Sequence, residues 1–279
     1  MTSFPVVLIH ILAKSKGSVL EYWLKQNLDK TTYPKNKIIL FFRTNNNTDN
    51  TKQILLDWIG KQHPTTWNSV YFNDEDVPEK VEQYGVHEWN TLRLSVISRL
   101  RQEGLVKSLE LNADFYFSCD VDNFLIPETL QTLVDENLPV IAPLLKYACC
   151  ETTGKNGNAY DNPNYSNFHH PVTSTGYFLD SPAYYTILNQ DNPGLHVIDL
   201  VHCTYLVRKD AIEKSSYIDV TTDFDYIIFA RTLRKCKIPQ VFDTRKIYGY
   251  LTVVEDIDAC KLNMARLDKN STGFLQCSK

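Results

Sequence analysis

The chain has 279 residues, of which 43% are hydrophobic and 12% are aromatic, so it holds enough apolar material for one large domain or two closely packed units. Lysine and arginine number 29 against 33 aspartates and glutamates, and the net charge of -4 excludes the charge balance of a nucleic-acid-binding protein. No apolar run approaches the length of a membrane span, and the N-terminus lacks the basic and apolar regions of a secretion signal.

The first part of the chain alternates short apolar runs with amphipathic segments. Residues 6–12 form an apolar run typical of a buried parallel strand, and residues 19–28 follow with helical spacing. A second strand is predicted over 38–42, and it leads into the polar turn 43–50 and a second helix around 54–59. This order indicates two consecutive β-α units.

The alternation continues to the middle of the chain. A third short strand is predicted over 70–72, and residues 88–111 have helical spacing that we expect Gly104 to break. The mostly apolar run 115–119 comes next, directly after Asp114, and predicts a further strand. Such alternation predicts an α/β fold with a mostly parallel sheet, in which ligands bind at the carboxyl ends of the strands.

Two carboxylates, Asp120 and Asp122, follow this last strand and are one residue apart. Both side chains reach the same space if the chain bends into a turn there. Mn²⁺ and Mg²⁺ prefer oxygen ligands and are usually held by one or two carboxylates together with substrate phosphates. The pair therefore predicts a site for a metal-bound diphosphate. One alternative is two exposed turn aspartates, and another is the aspartyl nucleophile of a phosphohydrolase, which the mid-chain position and the following Asn123 and Phe124 disfavour.

Several short segments, spread in one order over most of the chain, carry a resemblance to a known family. They are Ile11-Leu-Ala-Lys14, Asn47-Thr-Asp-Asn-Thr51, Leu100-Arg-Gln102, Asp120-Val-Asp-Asn123, Ser166-Asn-Phe168, Thr173-Ser-Thr-Gly-Tyr177, Ser181-Pro-Ala-Tyr184, Val201-His202 and Tyr248-Gly-Tyr-Leu251. Through them the chain resembles the first glycosyltransferase domain of the procollagen galactosyltransferases, which transfer galactose from UDP-galactose to hydroxylysine in collagen. The resemblance implies the glycosyltransferase-A fold, a Rossmann-like mixed, mostly parallel sheet flanked by helices.

We predict a single domain of this type over residues 1–255, followed by a C-terminal extension over 256–279. Residues 1–145 are expected to form the nucleotide-sugar-binding half and residues 146–255 the acceptor-side half. Within the second half, the stretch 149–175 is rich in Gly, Asn, Pro and Tyr, and its length favours a substrate-facing loop or lid. The resembled family works in the lumen of the endoplasmic reticulum, whereas no signal peptide is seen here, so the compartment is left undecided.

The donor site is expected where the first strand, the Asn-rich turn and the aspartate pair emerge at one edge of the sheet. There the first strand end would border the nucleotide base, and polar groups of the turn would hydrogen-bond uracil or ribose. Helix capping by an Asx-rich turn is the alternative for that turn. An arginine of the preceding helix is suited to paired contacts with phosphate or sugar hydroxyls. The predicted donor-binding residues are Ile11, Ala13, Lys14, Thr44, Asn45, Asp49, Arg101, Asp120, Val121 and Asp122.

The resemblance implies a divalent cation, Mn²⁺ or Mg²⁺, with Asp120 and Asp122 as ligands. His202 is a further candidate ligand, with contacts to diphosphate or acceptor and a structural role as alternatives. Many enzymes of this fold supply a late histidine as third ligand, and no histidine follows His202 in this chain. Family chemistry implies inversion by single displacement, with Asp225 as the first candidate for the base and Asp223 as the second. Capping of the following helix is the alternative for both aspartates.

These observations predict a metal-dependent inverting galactosyltransferase that uses UDP-galactose and acts on hydroxylysine of a collagen-like polypeptide. One alternative is a glucosyltransferase that uses UDP-glucose and acts on hydroxylysine or galactosyl-hydroxylysine, since the two donors differ by one epimeric hydroxyl. Another is a catalytically silent domain that binds carbohydrate or collagen. A homo-oligomer is left open, and neither a nucleic-acid partner nor a membrane span is expected.

Overall fold

The computed structural model describes residues 4–85, 88–148, 164–253 and 255–271, with only the backbone described for 268–271. Within these ranges the chain forms thirteen strands and eight α-helices. The strands are β1 Val7–Leu12, β2 Ile38–Arg43, β3 Ser69–Asn73, β4 Phe115–Cys119, β5 Asn123–Leu125, β6 Val140–Pro143, β7 Leu145–Tyr147, β8 Phe168–His169, β9 Leu195–Ile198, β10 Leu200–Val201, β11 Thr204–Arg208, β12 Gln240–Asp243 and β13 Gly249–Leu251. The helices are α1 Gly17–Trp23, α2 Thr51–Gly60, α3 Thr91–Glu110, α4 Thr129–Glu136, α5 Pro182–Leu188, α6 Lys209–Ile212, α7 Asp225–Lys235 and α8 Ile257–Ser271.

An eight-stranded sheet forms the centre of the described structure, in the order β3-β2-β1-β4-β11-β6-β12-β9. The first four of these strands are parallel, as the β-α alternation predicts. β11 is antiparallel to both of its neighbours, β6 and β12 are parallel to each other, and β9 closes the edge antiparallel to β12. A smaller sheet has the order β5-β13-β7, and β8 pairs with β10. The predicted mixed, mostly parallel sheet flanked by helices is confirmed.

The central strands are buried on both faces, so the sheet has an apolar core on each side. Successive residues of a strand point to opposite faces. In β1, Val7, Ile9 and Ile11 join one apolar cluster, and Leu8 joins the other. The predicted strands and helices of the first half of the chain are therefore confirmed as alternating β-α units, and a π-helical turn, Leu24–Asp29, continues α1.

Gly104 does not break its helix, contrary to the sequence-based expectation, because α3 runs without interruption from Thr91 to Glu110. The reason for glycine at this position is close packing against β1. A Cβ at Gly104 would lie 2.1 Å from Nδ1 of His10, whose buried ring stacks on Phe41 with a centroid distance of 5.0 Å. The glycine therefore lets α3 approach the sheet closely.

The second half of the chain completes the sheet and adds the last helix. In the predicted loop or lid of 149–175, residues 149–163 lie outside the described residues, whereas 164–175 include β8. The whole of α8 falls in the predicted C-terminal extension, yet its residues Ala259, Cys260 and Met264 are buried in the same apolar cluster as β1. No helix among the described residues is long and apolar enough to cross a membrane.

The Gly104 contact predicts that Gly104→Ala destabilises the protein. Alanine gains about 1 kcal/mol in helix propensity, but overpacking of a dense core costs about 1–3 kcal/mol, so we expect a net loss of up to about 2 kcal/mol in the free energy of unfolding. Urea denaturation measures this difference. Gly60→Ala at the end of α2 is the matched control, because a Cβ at Gly60 would have nothing within 4 Å and that variant should be neutral or stabilised. Equal effects of the two substitutions would contradict the packing explanation.

His10 predicts a component of acid sensitivity. Burial, helped by the charges of Arg101 and Arg43, lowers the pKa of His10 to about 3 from an ordinary value of 6.5. Between these two pH values the unfolded chain binds a proton that the folded chain does not, so stability falls as the pH drops from about 6.5 toward about 3, by at most about 1.4 kcal/mol per pH unit. In His10→Phe this contribution to the pH dependence of the unfolding free energy should be absent. Identical slopes of unfolding free energy against pH in the two proteins would refute the assignment.

Candidate active site

Arg101 of α3 joins two carboxylates that lie far apart in the sequence. Its Nη2 donates a hydrogen bond of 2.7 Å to Oδ1 of Asp120, and its Nη1 donates one of 2.9 Å to Oγ of Ser118. Its Nε lies 2.5 Å from Oδ2 of Asp225, an ion-pair contact whose angles are not those of a hydrogen bond. The side chain of Arg101 is only 11% exposed and that of Asp225 only 10%. One buried guanidinium therefore holds the end of β4 beside the start of α7.

Asp122 has a different cationic partner, Lys16, from the loop after β1. Nζ of Lys16 lies 3.3 Å from Oδ2 of Asp122 and 2.8 Å from Oε1 of Glu255, and Glu255 also accepts a hydrogen bond from the hydroxyl of Ser18. Burial disfavours the charged form of Lys16, but the charges of Asp122 and Glu255 outweigh this effect and raise the pKa of Lys16. This cluster ties together the loop after β1, the aspartate turn and the segment before α8.

The turn that carries the two aspartates is fixed through its backbone. The carbonyl oxygen of Asp120 accepts hydrogen bonds from Nε1 of Trp23, at 2.9 Å, and from the backbone N–H of Asn123, at 3.0 Å. The carbonyl oxygen of Asp122 accepts one from the backbone N–H of Thr252, at 3.0 Å. The chain therefore turns after β4 and enters β5 at once, so the two carboxylates lie together at the carboxyl end of β4, where the sequence predicts them.

The polar side chains of the Asn-rich turn, which the sequence predicts to contact the nucleotide, form hydrogen bonds with other groups of the protein. The hydroxyl of Thr44 donates to the carbonyl oxygen of Ala13, at 2.5 Å, and thereby links the ends of β2 and β1. Nδ2 of Asn45 donates to Oδ1 of Asn46, at 2.9 Å, and both asparagines are buried. Asp49 accepts from the backbone N–H groups of Gly17 and Thr51, at 2.8 and 3.0 Å.

Through these contacts Asp49 binds the first backbone N–H group of both α1 and α2, although their N-cap residues are Lys16 and Asn50. Burial would raise the pKa of Asp49, but hydrogen bonds from Thr51 and Gly17 outweigh it and lower the pKa. The remaining predicted donor residues also lie at this edge: Ile11 and Val121 are buried, whereas the partly exposed Lys14 pairs with Glu82 at 3.3 Å. Their roles in nucleotide binding stay predictions.

The two candidate bases have different surroundings. Asp225 is the first residue of α7, is nearly buried and contacts Arg101. Asp223 is partly exposed and bound to the side chains of Arg231 and Tyr177. Neither aspartate caps α7, because its N-cap residue is Phe224 and no side-chain hydrogen bond caps it. Of the two, Asp225 is the one that the structure brings next to Asp120.

His202 lies in the loop between β10 and β11 and is almost completely buried. Its Nδ1 is 2.9 Å from Sγ of Cys203, and its Nε2 has no hydrogen-bond partner among the described residues. Burial, together with the charges of His169 and Arg101, keeps the pKa of His202 well below its ordinary value. Its ring is packed among those of His169, Tyr226 and Tyr165, with centroid distances of 4.9, 5.1 and 5.7 Å.

The aspartate pair has the donor set of a hard cation but is not part of a larger ligand group. Among the described ranges, no three His, Cys, Asp or Glu side chains are grouped so as to hold a metal ion, and His202 therefore does not form such a group with the two aspartates. Burial raises the pKa of Asp122, Lys16 opposes this shift, and the charge of Asp120 adds to it. A cation bound between Asp120 and Asp122, in addition to Lys16, would relieve the repulsion between the two carboxylates. The pair therefore fits a divalent cation that also takes ligands from a diphosphate.

Three residues at this site were not singled out in the sequence. Lys16 lies two positions after the segment Ile11–Lys14, which carries part of the family resemblance. A positive charge so close to the end of a strand was a sequence signal for a place in the site. The sequence carries no comparable signal for Glu255 or His169. Glu255 reaches the site through its contact with Lys16, 239 positions away in the chain. A single histidine such as His169 is more often structural than functional.

Comparison with known proteins gives consistent results for sequence and structure. The family model described as the N-terminal domain of glycosyltransferase family 25 matches residues 4–262. Procollagen galactosyltransferase 1-B of Xenopus laevis is 33% identical over 266 residues, which cover 89% of this chain and 40% of that protein. Procollagen galactosyltransferase 2 of Homo sapiens is 31% identical over 258 residues, with 89% and 39% covered. A protein of Mus musculus named inactive glycosyltransferase 25 family member 3 is 27% identical over 263 residues, with 90% and 41% covered.

Solved structures show the same fold at low sequence identity. The crystal structure of S. aureus TarS 1-349 in complex with UDP-GlcNAc superposes with a TM-score of 0.51 and 14% identity, covering 88% of this chain and 58% of that one. The longer S. aureus TarS structure gives a TM-score of 0.52 and 14% identity, covering 97% and 40%. The glycosyltransferase-A fold is therefore confirmed, and the chain spans about 40% of the length of the curated relatives that it matches.

The contacts of Arg101 predict that Arg101→Gln destabilises the protein strongly. Removing one partner of a buried ion pair leaves uncompensated charge and typically costs about 3–5 kcal/mol, and here two carboxylates lose their partner. Adding Asp225→Asn should recover part of the loss, because one uncompensated carboxylate is then removed. Urea denaturation of the single and double variants measures both effects.

Lys107→Gln is the control for removal of a cation from the same helix. It breaks the i,i+3 pair with the exposed Glu110, and surface pairs are worth about 0–1 kcal/mol. If Arg101→Gln cost no more than Lys107→Gln, Arg101 would not be the link between β4 and α7.

Proposed function

Since this chain belongs to glycosyltransferase family 25, we propose that it is a metal-dependent inverting galactosyltransferase that moves galactose from UDP-galactose to hydroxylysine of a collagen-like polypeptide. The observation that carries the proposal is the position of Asp120 and Asp122 at the carboxyl end of β4, next to Arg101 and Asp225. In open α/β sheets, ligands bind at such strand ends.

The donor is proposed to lie across the ends of β1, β2 and β4. Asp120, which Arg101 contacts, and Asp122, which Lys16 contacts, would hold Mn²⁺ or Mg²⁺ through their carboxylates. When bound, such an ion neutralises charge that develops on the departing diphosphate. Lys14 and Lys16 add positive charge at the end of β1, where the diphosphate of the donor would be attracted.

Asp225 is proposed to accept the proton of the attacking hydroxyl. A base must come within hydrogen-bond reach of that hydroxyl in the bound complex. Asp225 suits this role by its position. Arg101 holds it beside Asp120, and therefore beside the place proposed for the donor. Single displacement then gives a product of inverted configuration without a covalent sugar intermediate. Asp223 is the second candidate, and its carboxylate is bound by Arg231 and Tyr177.

The collagen-like acceptor and the galactose donor come from the names of the relatives, which are procollagen galactosyltransferases. UDP-glucose stays an alternative donor, with hydroxylysine or galactosyl-hydroxylysine as acceptor, because selection between epimers depends on a few hydrogen bonds. A catalytically silent domain is a second candidate function, and the relative named as inactive favours it at 27% identity.

The direct test is release of UDP by the purified chain in the presence of Mn²⁺. UDP-galactose and UDP-glucose are compared, each with and without a hydroxylysine-containing collagen peptide. The proposal predicts that the peptide stimulates UDP release from UDP-galactose, and that a chelator abolishes the stimulation. Tight binding of UDP-sugar without any peptide-stimulated release would favour the silent domain.

Isosteric variants separate the proposed roles of the three carboxylates. Asp120→Asn and Asp122→Asn should each weaken Mn²⁺-dependent UDP binding by at least about tenfold, because they remove an ionised ligand. Asp225→Asn should keep UDP binding and lower the transfer rate by about 10²–10⁴-fold, the usual contribution of a general base. Calorimetry with UDP and Mn²⁺ measures binding, and UDP release measures transfer.

Asp57→Asn, exposed on α2, controls for the loss of a surface carboxylate and should match the unmodified chain in both measurements. Asp223→Asn tests the second candidate base. Normal transfer by Asp225→Asn together with loss of transfer by Asp223→Asn would exchange their roles, and unchanged Mn²⁺-dependent UDP affinity in both Asp120→Asn and Asp122→Asn would remove the metal assignment.

A further inference from the structure

A cluster of two histidines and two tyrosines lies beside the proposed base and has no part in the mechanism described above. His169 of β8 and His202 after β10 pack with their rings 4.9 Å apart. The ring of Tyr226 lies 5.1 Å from His202 and 5.8 Å from His169, and that of Tyr165 lies 5.7 Å from His202. These four residues are called the His-Tyr cluster below.

Both histidines of the His-Tyr cluster hold a buried nitrogen without a hydrogen-bond partner among the described residues. The atoms are Nε2 of His202 and Nδ1 of His169. His202 is only 1% exposed, so bulk water does not satisfy its ring. Leaving a buried polar atom unpaired is costly, so the two nitrogens in these contacting rings would each gain from a hydrogen-bonding partner.

The His-Tyr cluster is connected to the proposed active site at two points. Tyr226 is the residue after Asp225 in α7. On the other side, the backbone carbonyl of Cys203, next to His202, accepts a hydrogen bond of 3.5 Å from Ser118, which in turn binds Arg101. A group bound at the cluster would therefore lie close to the carboxylate that is proposed to take the proton.

We infer that the His-Tyr cluster is a subsite for a hydroxyl-bearing carbon skeleton, in which the unpaired histidine nitrogens hydrogen-bond hydroxyl groups and the tyrosine rings pack against the carbon atoms. The inference rests on the proposed function and specifies part of its substrate recognition. A hydroxyl both donates and accepts, so it pairs with either ring tautomer of each histidine. Aromatic rings pack on apolar carbon faces, whereas none of the four side chains carries a fixed positive charge for a phosphate.

Two reactants carry this chemistry: the hexose of the donor and the hydroxylated side chain of the acceptor. They are distinguished by three measurements on each variant, namely the affinity for UDP with Mn²⁺, the affinity for UDP-galactose with Mn²⁺, and the KM for a hydroxylysine-containing collagen peptide. A role at the hexose weakens UDP-galactose binding and leaves UDP binding unchanged. A role at the acceptor raises the KM of the peptide and leaves both nucleotide affinities unchanged.

The variants are His202→Phe, His169→Phe and Tyr226→Leu, with Tyr226→Phe as the variant that keeps the ring. We expect each of the first three to weaken one of the two interactions by about tenfold, which corresponds to one lost hydrogen bond or ring contact. Tyr226→Phe should stay within about twofold of the unmodified chain, because the ring contact is kept. His63→Phe is the control for a histidine replaced at an exposed position, and it should change none of the three quantities.

Unchanged UDP-galactose affinity and unchanged peptide KM in all three variants would overturn the inference. Loss of Mn²⁺-dependent UDP binding in His202→Phe would also overturn it, because His202 would then act on the metal or the diphosphate. Thermal unfolding shows which variants are folded, and His169→Phe and Tyr226→Leu carry the test if His202→Phe is not. Absence of transfer by the unmodified chain would count against the proposed function, whereas the comparison of UDP-galactose with UDP needs no turnover.

Discussion

The structure of the candidate site depends on the buried guanidinium of Arg101. It lies between Asp120, at the end of a parallel strand, and Asp225, at the start of a helix more than a hundred residues later. Without this cation, two carboxylates with little solvent exposure would face each other across a desolvated space, which is a costly arrangement. The ion pairs therefore explain how one chain keeps a proposed metal ligand and a proposed base close together. The same helix, α3, packs closely on β1 at Gly104.

A second set of charges connects the proposed donor site to the loops around it. Lys16 binds both Asp122 and Glu255, so the loop after β1, the aspartate turn and the segment before α8 share one charge network. A divalent cation at the aspartate pair would compete with Lys16 for Asp122 and would leave Lys16 available to Glu255 or to a diphosphate. Donor binding is thus expected to alter the contacts of three segments at once. On the other side of Arg101, the His-Tyr cluster offers neutral polar groups and ring faces, which complement hydroxyls instead of phosphate.

Much of the fold was predictable because it follows from local patterns. The apolar runs at β1, β2 and β4 and the helical spacing after them predicted the parallel units, and the position of Asp120 and Asp122 at a strand end followed directly. The site was predictable only in part. Arg101 was identified, but its pairing with Asp225 depends on how α7 packs against α3, and no periodicity contains that information. Gly104 was misjudged for the same kind of reason: helix propensity treats it as a break, whereas the contact with His10 requires its missing side chain. Asp49 accepts hydrogen bonds from the first backbone N–H groups of α1 and α2 without being the N-cap residue of either helix, whereas Asp225 is held by an ion pair with Arg101.

The central claim is that Asp120 and Asp122 hold a divalent cation beside the diphosphate of a nucleotide-sugar. The most direct measurement is anomalous X-ray diffraction from a crystal of the chain grown with Mn²⁺ and UDP. We expect one strong manganese peak in contact with the carboxylates of both aspartates and with the diphosphate of UDP. Bound UDP without a manganese peak at this pair, or a peak held by His202 and other side chains instead, would contradict the claim.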